Sequence, residues 1–332
     1  MKRILSGIQS TGNLQLGNYL GAIRNWVKLQ NETECFLFAA DLHALTVFQN
    51  PQELRHNTQE ALAMYLACGI SEERAALFPQ SMISEHAELM WILSCHTSMG
   101  WLNRMTQFKE KAGKQRDQAN AGLYTYPILM AADILLYKPD SVPVGNDQKQ
   151  HVEIARDIAG AFNRAYGVEV FTLPEFLGMG PATRVMSLKD GTSKMSKSDP
   201  SDASRINLKD DPDTILQKIK KAKTDSGVFP ANPDETEGRP EVKNLINIYC
   251  ALTEKNPEFL YQQFGGKIFS PFKESLADVC VESLRPIREK FNHLMAHQDH
   301  LNNVIGQGVL KAKTVAEKTL LEVKEIIGLY KG

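Results

Sequence analysis

Two hydrophobic periods alternate along the first two thirds of the chain. Short apolar runs at Ile4, Leu5 and Ile8, at ECFLFAAD (34–41), at Ala75 to Pro79 and at SVPVG (141–145) have the length and make-up of buried strands. Between them, Leu16, Leu20, Ile23 and Val27 repeat at helical spacing. Asn50, Pro51 and Glu53 give a helix start for QELRHNTQEALAMYLACG, and EHAELMWILSCH and WLNRMTQFKEK continue as helices. GLYTYPILMAADILLYK (122–138) reads as a long apolar helix, and DQKQHVEIARDIAGAFNRAYG (147–167) as an amphipathic one closed by Gly167. Strands alternating with helices at this spacing predict an α/β fold: a Rossmann-like parallel sheet covered on both faces, forming a nucleotide-binding domain over residues 1–200. From 201 to 332 the pattern is helical: DPDTILQKIKKAK, NLINIYCALTEK, PEFLYQQF, then two long segments from Pro271 to His297 and from Leu301 to Leu329. The stretch 227–241, rich in Pro, Gly and acids, is expected as a surface loop.

Composition narrows the class more than the function. The 332 residues suffice for a substantial core, and no run of about 18 apolar residues or N-terminal apolar signal is present, so a soluble, cytoplasmic protein without membrane contact is expected. Cys35, Cys68, Cys95, Cys250 and Cys280 lie far apart without a C-x-x-C pair. That spacing argues against zinc, an iron–sulfur cluster or a disulfide framework, and predicts free core thiols. A net charge of -1 supplies no global basic field, so RNA binding would have to rest on local patches or a dimer surface. Lys218, Lys220, Lys221 and Lys223 form either such a patch, touching RNA phosphate, or an ordinary solvated helix face.

Two stretches carry candidate chemistry. In MSLKDGTSKMSKSDP, Lys194 and Lys197 stand three apart with Met195, Ser196 and Ser198 around them, in a segment (190–200) that Gly191 and Pro200 keep out of regular structure. Such a unit suits a polyanion on a loop able to close, or a solvated Lys/Ser turn. In ILSGIQSTGNLQLGNYLGAIRNW, Gly7 and Gly12 lie between the first strand and the first helix, where a helix N-terminus offers free N–H groups to an anion. The same glycines also fit a plain turn of a parallel sheet.

The pairing of TGNLQLGN (11–18) with KMSKS resembles the two signature motifs of the class I aminoacyl-tRNA synthetases. TQFKEK (106–111), MAADILLY (130–137) and VPVGNDQKQH (142–151) are similar to the tryptophanyl branch of that class, with similarity over nearly the whole chain. Two positions depart from the pattern: Ser10 stands where the family usually has Pro, and Gln15 where its motif often has His. The resemblance implies activation of L-tryptophan with ATP, as its Mg²⁺ complex, and transfer to tRNA(Trp) by a homodimer. It places the ATP and tryptophan site in 1–200 and an anticodon-binding region in 201–332, part of which packs back on the catalytic domain.

Activation of a carboxylate needs in-line positioning and neutralisation of the departing pyrophosphate, with no general base. Lys194 and Lys197 are the candidates for that charge, with Ser196 and Ser198 as partners. The resemblance adds Lys111, which on its own residues could equally be a helix-surface lysine beside Glu110. It also implies ATP contacts from Gln9, Ser10, Thr11, Gly17, Asn18, Gly145, Asn146, Asp147, Met195 and the backbone of Val185. Asp147 with Gln150 fits a helix capping box as well. Tyr126, Met130 and Asp133 share one helix face, where a carboxylate amid apolar residues could accept an indole N–H or be satisfied by backbone or a lysine. The resemblance makes Asp133 the indole ligand and places Gln148 and Gln9 near the substrate's polar end. His43 either flanks that pocket or is a core or cap histidine. No metal-ligating residue is expected. Competing readings are a tyrosyl relative, a small-metabolite adenylyltransferase, and a non-catalytic synthetase-like binder of nucleotide or RNA.

Overall fold

Successive residues of the central strands enter opposite cores in the computed structural model, which describes residues 2–105, 120–178, 184–197 and 199–330. Ile4, Cys35, Leu37, Ala75 and Leu77 enter one apolar core, and their neighbours Leu5, Phe36, Phe38, Ala76 and Phe78 enter a second on the opposite face. A sheet buried on both sides explains why these strands read as continuous apolar runs. Five strands form it: β1 (Lys2–Gln9), β2 (Thr33–Ala40), β3 (Ala75–Pro79), β4 (Ser141–Val144) and β5 (Glu175–Gly178). They run parallel in the order β3-β2-β1-β4-β5, with Leu5 opposite Phe36 and Ile4 opposite Ser141. The α/β expectation holds. β5 has no counterpart in the apolar pattern because it is a short edge strand with three of its four residues, Glu175, Leu177 and Gly178, exposed to solvent.

The helices Glu85–Ser94, Ala121–Leu136 and Lys149–Tyr166 cover one face, joined there by Ala312, Ala316, Leu320 and Val323 of the last helix, Gln298–Ile326. The other face is covered by Pro51–Ala67 and by a helical run that begins at Leu16, passes through a π-turn at Tyr19–Ile23 and ends at Leu29. The core on this face, which holds Ile4 and Leu37, runs on without a gap into Ile215, Leu245, Phe272, Leu284 and Leu301 of the helical region. The two long helices occupy Phe269–Ala296 and Gln298–Ile326, close to their predicted spans.

Three expectations need correction. The stretch 227–241 is exposed for most of its length but is pinned by Phe229, which has no solvent exposure and lies 4.6 Å, ring to ring, from Phe272. A single aromatic in a polar run was enough to tie it to the core. The thiols are free, and Cys35, Cys68 and Cys280 are buried, but Cys95 is exposed at the end of Glu85–Ser94 and Cys250 is half-buried. Lys218 is no solvated lysine: it is buried and lies 2.6 Å from both Asp202 and Asp210, while Lys223 pairs with Glu241 at 2.7 Å. Among the described residues no helix is long and apolar enough to cross a membrane.

The last helix crosses β3 so closely that a Cβ at Gly308 would lie 2.0 Å from the Leu77 carbonyl oxygen. Helix propensity favours alanine there, but strand backbone cannot yield, so sterics win. Gly308→Ala should therefore lower stability by about 2 kcal/mol or more in urea unfolding. Gly306→Ala, where a Cβ meets nothing within 4 Å, should raise it by about 0.5–1 kcal/mol. A gain at both positions would contradict this packing.

Candidate active site

Strand order reverses between β1 and β4, and in open parallel sheets the crevice at that point lies outside the carboxyl ends of the strands. A cavity of about 660 Å³ opens there, bounded by Gln9 at the end of β1 and by Val144 and Gly145 at the end of β4.

One end of the cavity is built from polar loops. After β1 the chain turns, with Thr11 N–H donating to the Gln9 carbonyl at 2.9 Å and Gly12 at φ +63°. Gln15 then caps the first helix: its side-chain oxygen accepts from the Gly17 N–H, and its own N–H donates to Asn18 Oδ1 at 3.1 Å. Because that side chain folds over Gly17, a Cβ at residue 17 would lie 2.8 Å from it. The other amide atom, Gln15 Nε2, donates to the Met195 carbonyl at 3.1 Å, so the first loop is tied directly to KMSKS.

The described part of the KMSKS loop, up to Lys197, is held by its own hydrogen bonds. Asp190 accepts from Thr192 N (3.0 Å), Thr192 Oγ1 (2.6 Å) and Ser193 Oγ (2.6 Å), Met186 bridges Lys194, and Met195 N–H donates to the Val185 carbonyl at 3.1 Å. Lys194 Nζ lies 3.3 Å from Asp147 Oδ1. Both side chains are more than half exposed, so the pair is worth less than about 1 kcal/mol and is easily exchanged for another anion. Lys197 Nζ donates to the Gln9 carbonyl at 3.1 Å, and burial of its amine pushes it from 10.5 down to about 7.

The opposite end centres on one carboxylate. Asp133, 1% exposed on the helix Ala121–Leu136, faces His43 Nε2 (2.7 Å) with Oδ2, and Gln80 Nε2 (2.7 Å) and His86 Nδ1 (2.6 Å) with Oδ1. Burial alone would raise its pKa. The two histidines and their hydrogen bonds outweigh burial and hold it at about 2, so it is an anion at neutral pH. Tyr126 stands edge-on to His43 with centroids 6.2 Å apart and bonds His151 Nε2 at 2.8 Å, and Met130 completes this wall. The cavity thus joins a cationic, glycine-bearing rim to a closed end with a buried anion.

The profile of the class I tRNA synthetases (W and Y) matches residues 1–284. This chain belongs to that family. It is 54% identical to the tryptophan–tRNA ligase of Rickettsia bellii over 327 residues, covering 98% of each chain. The tryptophanyl-tRNA synthetase structure from Mycoplasma pneumoniae superposes with a TM-score of 0.87 at 36% identity, over 99% of this chain and 98% of that one. The Campylobacter jejuni synthetase solved with ADP and tryptophan superposes with a TM-score of 0.85 at 36% identity, over 98% and 100%.

In this family member one cavity gathers Gln9, Gly17, Asn18, His43, Tyr126, Met130, Asp133, Gly145, Asn146, Asp147, Gln148, Val185, Lys194 and Met195. Ser10, Thr11, Ser196 and Lys197 are not part of its lining. Ser10 is buried, and its hydroxyl has no hydrogen-bond partner among the described residues. Lys111 with TQFKEK (106–111) and Ser198 lie outside the described residues. Asp147 does not take the N-cap position that the expected capping box with Gln150 requires. Asp147 sits in the 3₁₀ turn Asn146–Gln148, the helix Lys149–Tyr166 has no side-chain cap, and Gln150 reaches the Arg104 carbonyl instead. The Asp147 carboxylate takes Gln148 Nε2 (2.9 Å) and Lys194. Among the described residues Asp133 is met by two histidines and an amide, and by no lysine. Sequence reasoning missed Gln80, His86 and Tyr137, whose only signal was the four-residue step from Asp133 to Tyr137.

The Lys197 amine should therefore titrate near neutrality in the free protein. Competitive acetylation between about pH 5 and 11, read from the Lys197 peptide by mass spectrometry, should show half-maximal reactivity near pH 7. A midpoint near 10 would show that the amine is solvated.

Proposed function

We infer that the chain is an ATP-dependent ligase that activates L-tryptophan to tryptophanyl-adenylate, releasing pyrophosphate, and passes the tryptophanyl group to the terminal adenosine of tRNA(Trp). The observation that carries this reading is the ionised, buried Asp133 at the closed end of a cavity whose rim holds Lys194, Gly17 and Asn18. An indole offers one donor, N–H, and a fixed acceptor in an apolar pocket is the group that reads it. The near-full-length identity to a tryptophan–tRNA ligase supports the same choice over tyrosine.

In this reading Tyr126 and Met130 shape the ring pocket, His43 flanks it, and Gln9 and Gln148 meet the amino and carboxyl groups. ATP is held by Gln9, Ser10, Thr11, Gly17 and Asn18 along its phosphates, by Gly145, Asn146 and Asp147 at the ribose, and by the Val185 backbone at adenine. Gly145 fits close approach, since a Cβ there would lie 2.6 Å from Asp147 Oδ1. A tryptophan carboxylate oxygen bonds to the α-phosphorus as the bond from that phosphorus to the bridging oxygen breaks, and the charge moves onto pyrophosphate. Lys194 and Lys197, with Met195, Ser196, Ser198 and Lys111, stabilise that charge. Both described lysines hold weak partners in the free protein, an exposed Asp147 and a Gln9 carbonyl, which phosphate oxygens can replace. Mg²⁺ enters on the ATP phosphates as part of the substrate.

We assign catalysis to 1–200 and anticodon binding to 201–332. The reading includes a cytoplasmic homodimer. ATP–pyrophosphate exchange across all amino acids tests the assignment: tryptophan should stimulate exchange strongly and tyrosine should not. Lys197→Ala should lower exchange about 100-fold, and Asp133→Ala should raise the KM for tryptophan at least tenfold. Normal exchange by Lys197→Ala, or tyrosine matching tryptophan, would refute it.

A further inference from the structure

Asp133 is surrounded by more protein than an indole reader needs. Gln80 and His86 have no solvent exposure, and neither they nor Tyr137 line the cavity. An ionised carboxylate only accepts, so the atoms facing it must be donors: the Gln80 amide N–H and the His86 Nδ1–H. The other ring nitrogen, Nε2, lies 2.9 Å from the Tyr137 hydroxyl, which can donate to a neutral ring or accept from an imidazolium and so holds the ring in place in either case. Burial raises the Tyr137 pKa well above its ordinary value, which keeps that hydroxyl protonated. Gln80 shows what this orientation costs. Its Oε1 is buried with no hydrogen-bond partner, an arrangement retained only because the opposite amide orientation would set two oxygens face to face. Oδ1 thus receives two donors, and Oδ2 receives only His43, on the cavity side.

We propose that Gln80, His86 and Tyr137 are positioning residues for amino-acid selectivity: they saturate Asp133 Oδ1 and lock the carboxylate so that Oδ2 meets the indole N–H. This rests on the assignment of Asp133 as the indole ligand. The three residues come from the turn after β3, from the helix that follows it, and from the end of Asp133's own helix. Tyr137 lies one helical turn beyond Asp133, so the Tyr137–His86–Asp133 chain closes on a single face.

The test is pyrophosphate exchange with L-tryptophan and with β-(benzothiophen-3-yl)-L-alanine, which keeps the bicyclic shape but has no N–H. His86→Leu should lower the preference for tryptophan about tenfold, through the tryptophan KM, with kcat changed less than about twofold and the analogue unaffected. His86→Asn, which restores a donor, should recover most of the preference. Tyr137→Phe, which removes one hydroxyl, and Gln80→Met keep the measurement open if His86→Leu does not fold, and each should lose about threefold. Wild-type preference in Tyr137→Phe and Gln80→Met, alongside its loss in Asp133→Ala, would overturn the positioning role alone. Wild-type preference in Asp133→Ala would overturn the indole assignment, and the positioning role with it.

Discussion

A carboxylate with almost no access to water must be met by donors, and much of the sheet's carboxyl edge is organised to meet this one. Asp133 draws His43 from the segment after β2, Gln80 from the turn after β3 and His86 from the helix beyond it. Asp41, beside His43, accepts from Ser81 N–H at 2.9 Å and so fixes the turn that carries Gln80. Consecutive strand–helix crossovers are thereby joined through polar contacts at one edge while apolar packing joins them elsewhere. Leaving such a charge unpaired would cost several kcal/mol, which is reason enough for the donors to be buried with it.

A second polar contact links parts of the chain that are far apart in sequence. The Gln15 amide has an acceptor and a donor at once, and both are used: the oxygen caps the first helix at Gly17 and the nitrogen holds the Met195 carbonyl. An imidazole at this position would also present one acceptor and one donor nitrogen, so glutamine replaces it in hydrogen-bonding terms without its titration. In this chain the glutamine thus supplies both the cap at Gly17 and the link to Met195. Ser10 is different, because its buried hydroxyl has no partner among the described residues and a proline there would leave none to satisfy.

What was legible in the sequence follows from locality. β2, β3 and β4 are apolar runs bounded by turn residues, and Tyr126, Met130 and Asp133 share a face because a helix repeats every 3.6 residues. β5 was not legible, since a short edge strand needs neither alternation nor continuous apolarity. The π-turn at Tyr19–Ile23 was not legible either: Leu16, Leu20 and Ile23 are buried as the repeat expects, but beyond the turn Trp26 is fully buried and Val27 only partly. Partners set by tertiary contact were equally hidden. Lys218 reads as one of four similar lysines until Asp202 and Asp210 are folded against it, and His86 reads as a core histidine until Asp133 comes within 2.6 Å. The capping-box spacing at Asp147 was present and unused, because Asn146–Gln148 adopts a 3₁₀ turn and directs the carboxylate toward Lys194.

The two ends of the cavity solve different physical problems. A ring that must be recognised by a single donor gains from an acceptor that is already desolvated and held, because nothing then has to reorganise on binding. The Asp133 end is of this kind, with no exposed charge and every donor supplied by a packed element. A triphosphate that must arrive, lose its outer part and leave gains from contacts that exchange readily. Lys194 on an exposed Asp147 and Lys197 on a backbone carbonyl have that character, and under the proposed assignment the lowered pKa of Lys197 would couple phosphate binding to uptake of a proton near and above neutral pH. Fixed recognition at one end and replaceable contacts at the other are what an adenylate-forming site requires, and the crevice at the carboxyl ends of one parallel sheet holds both.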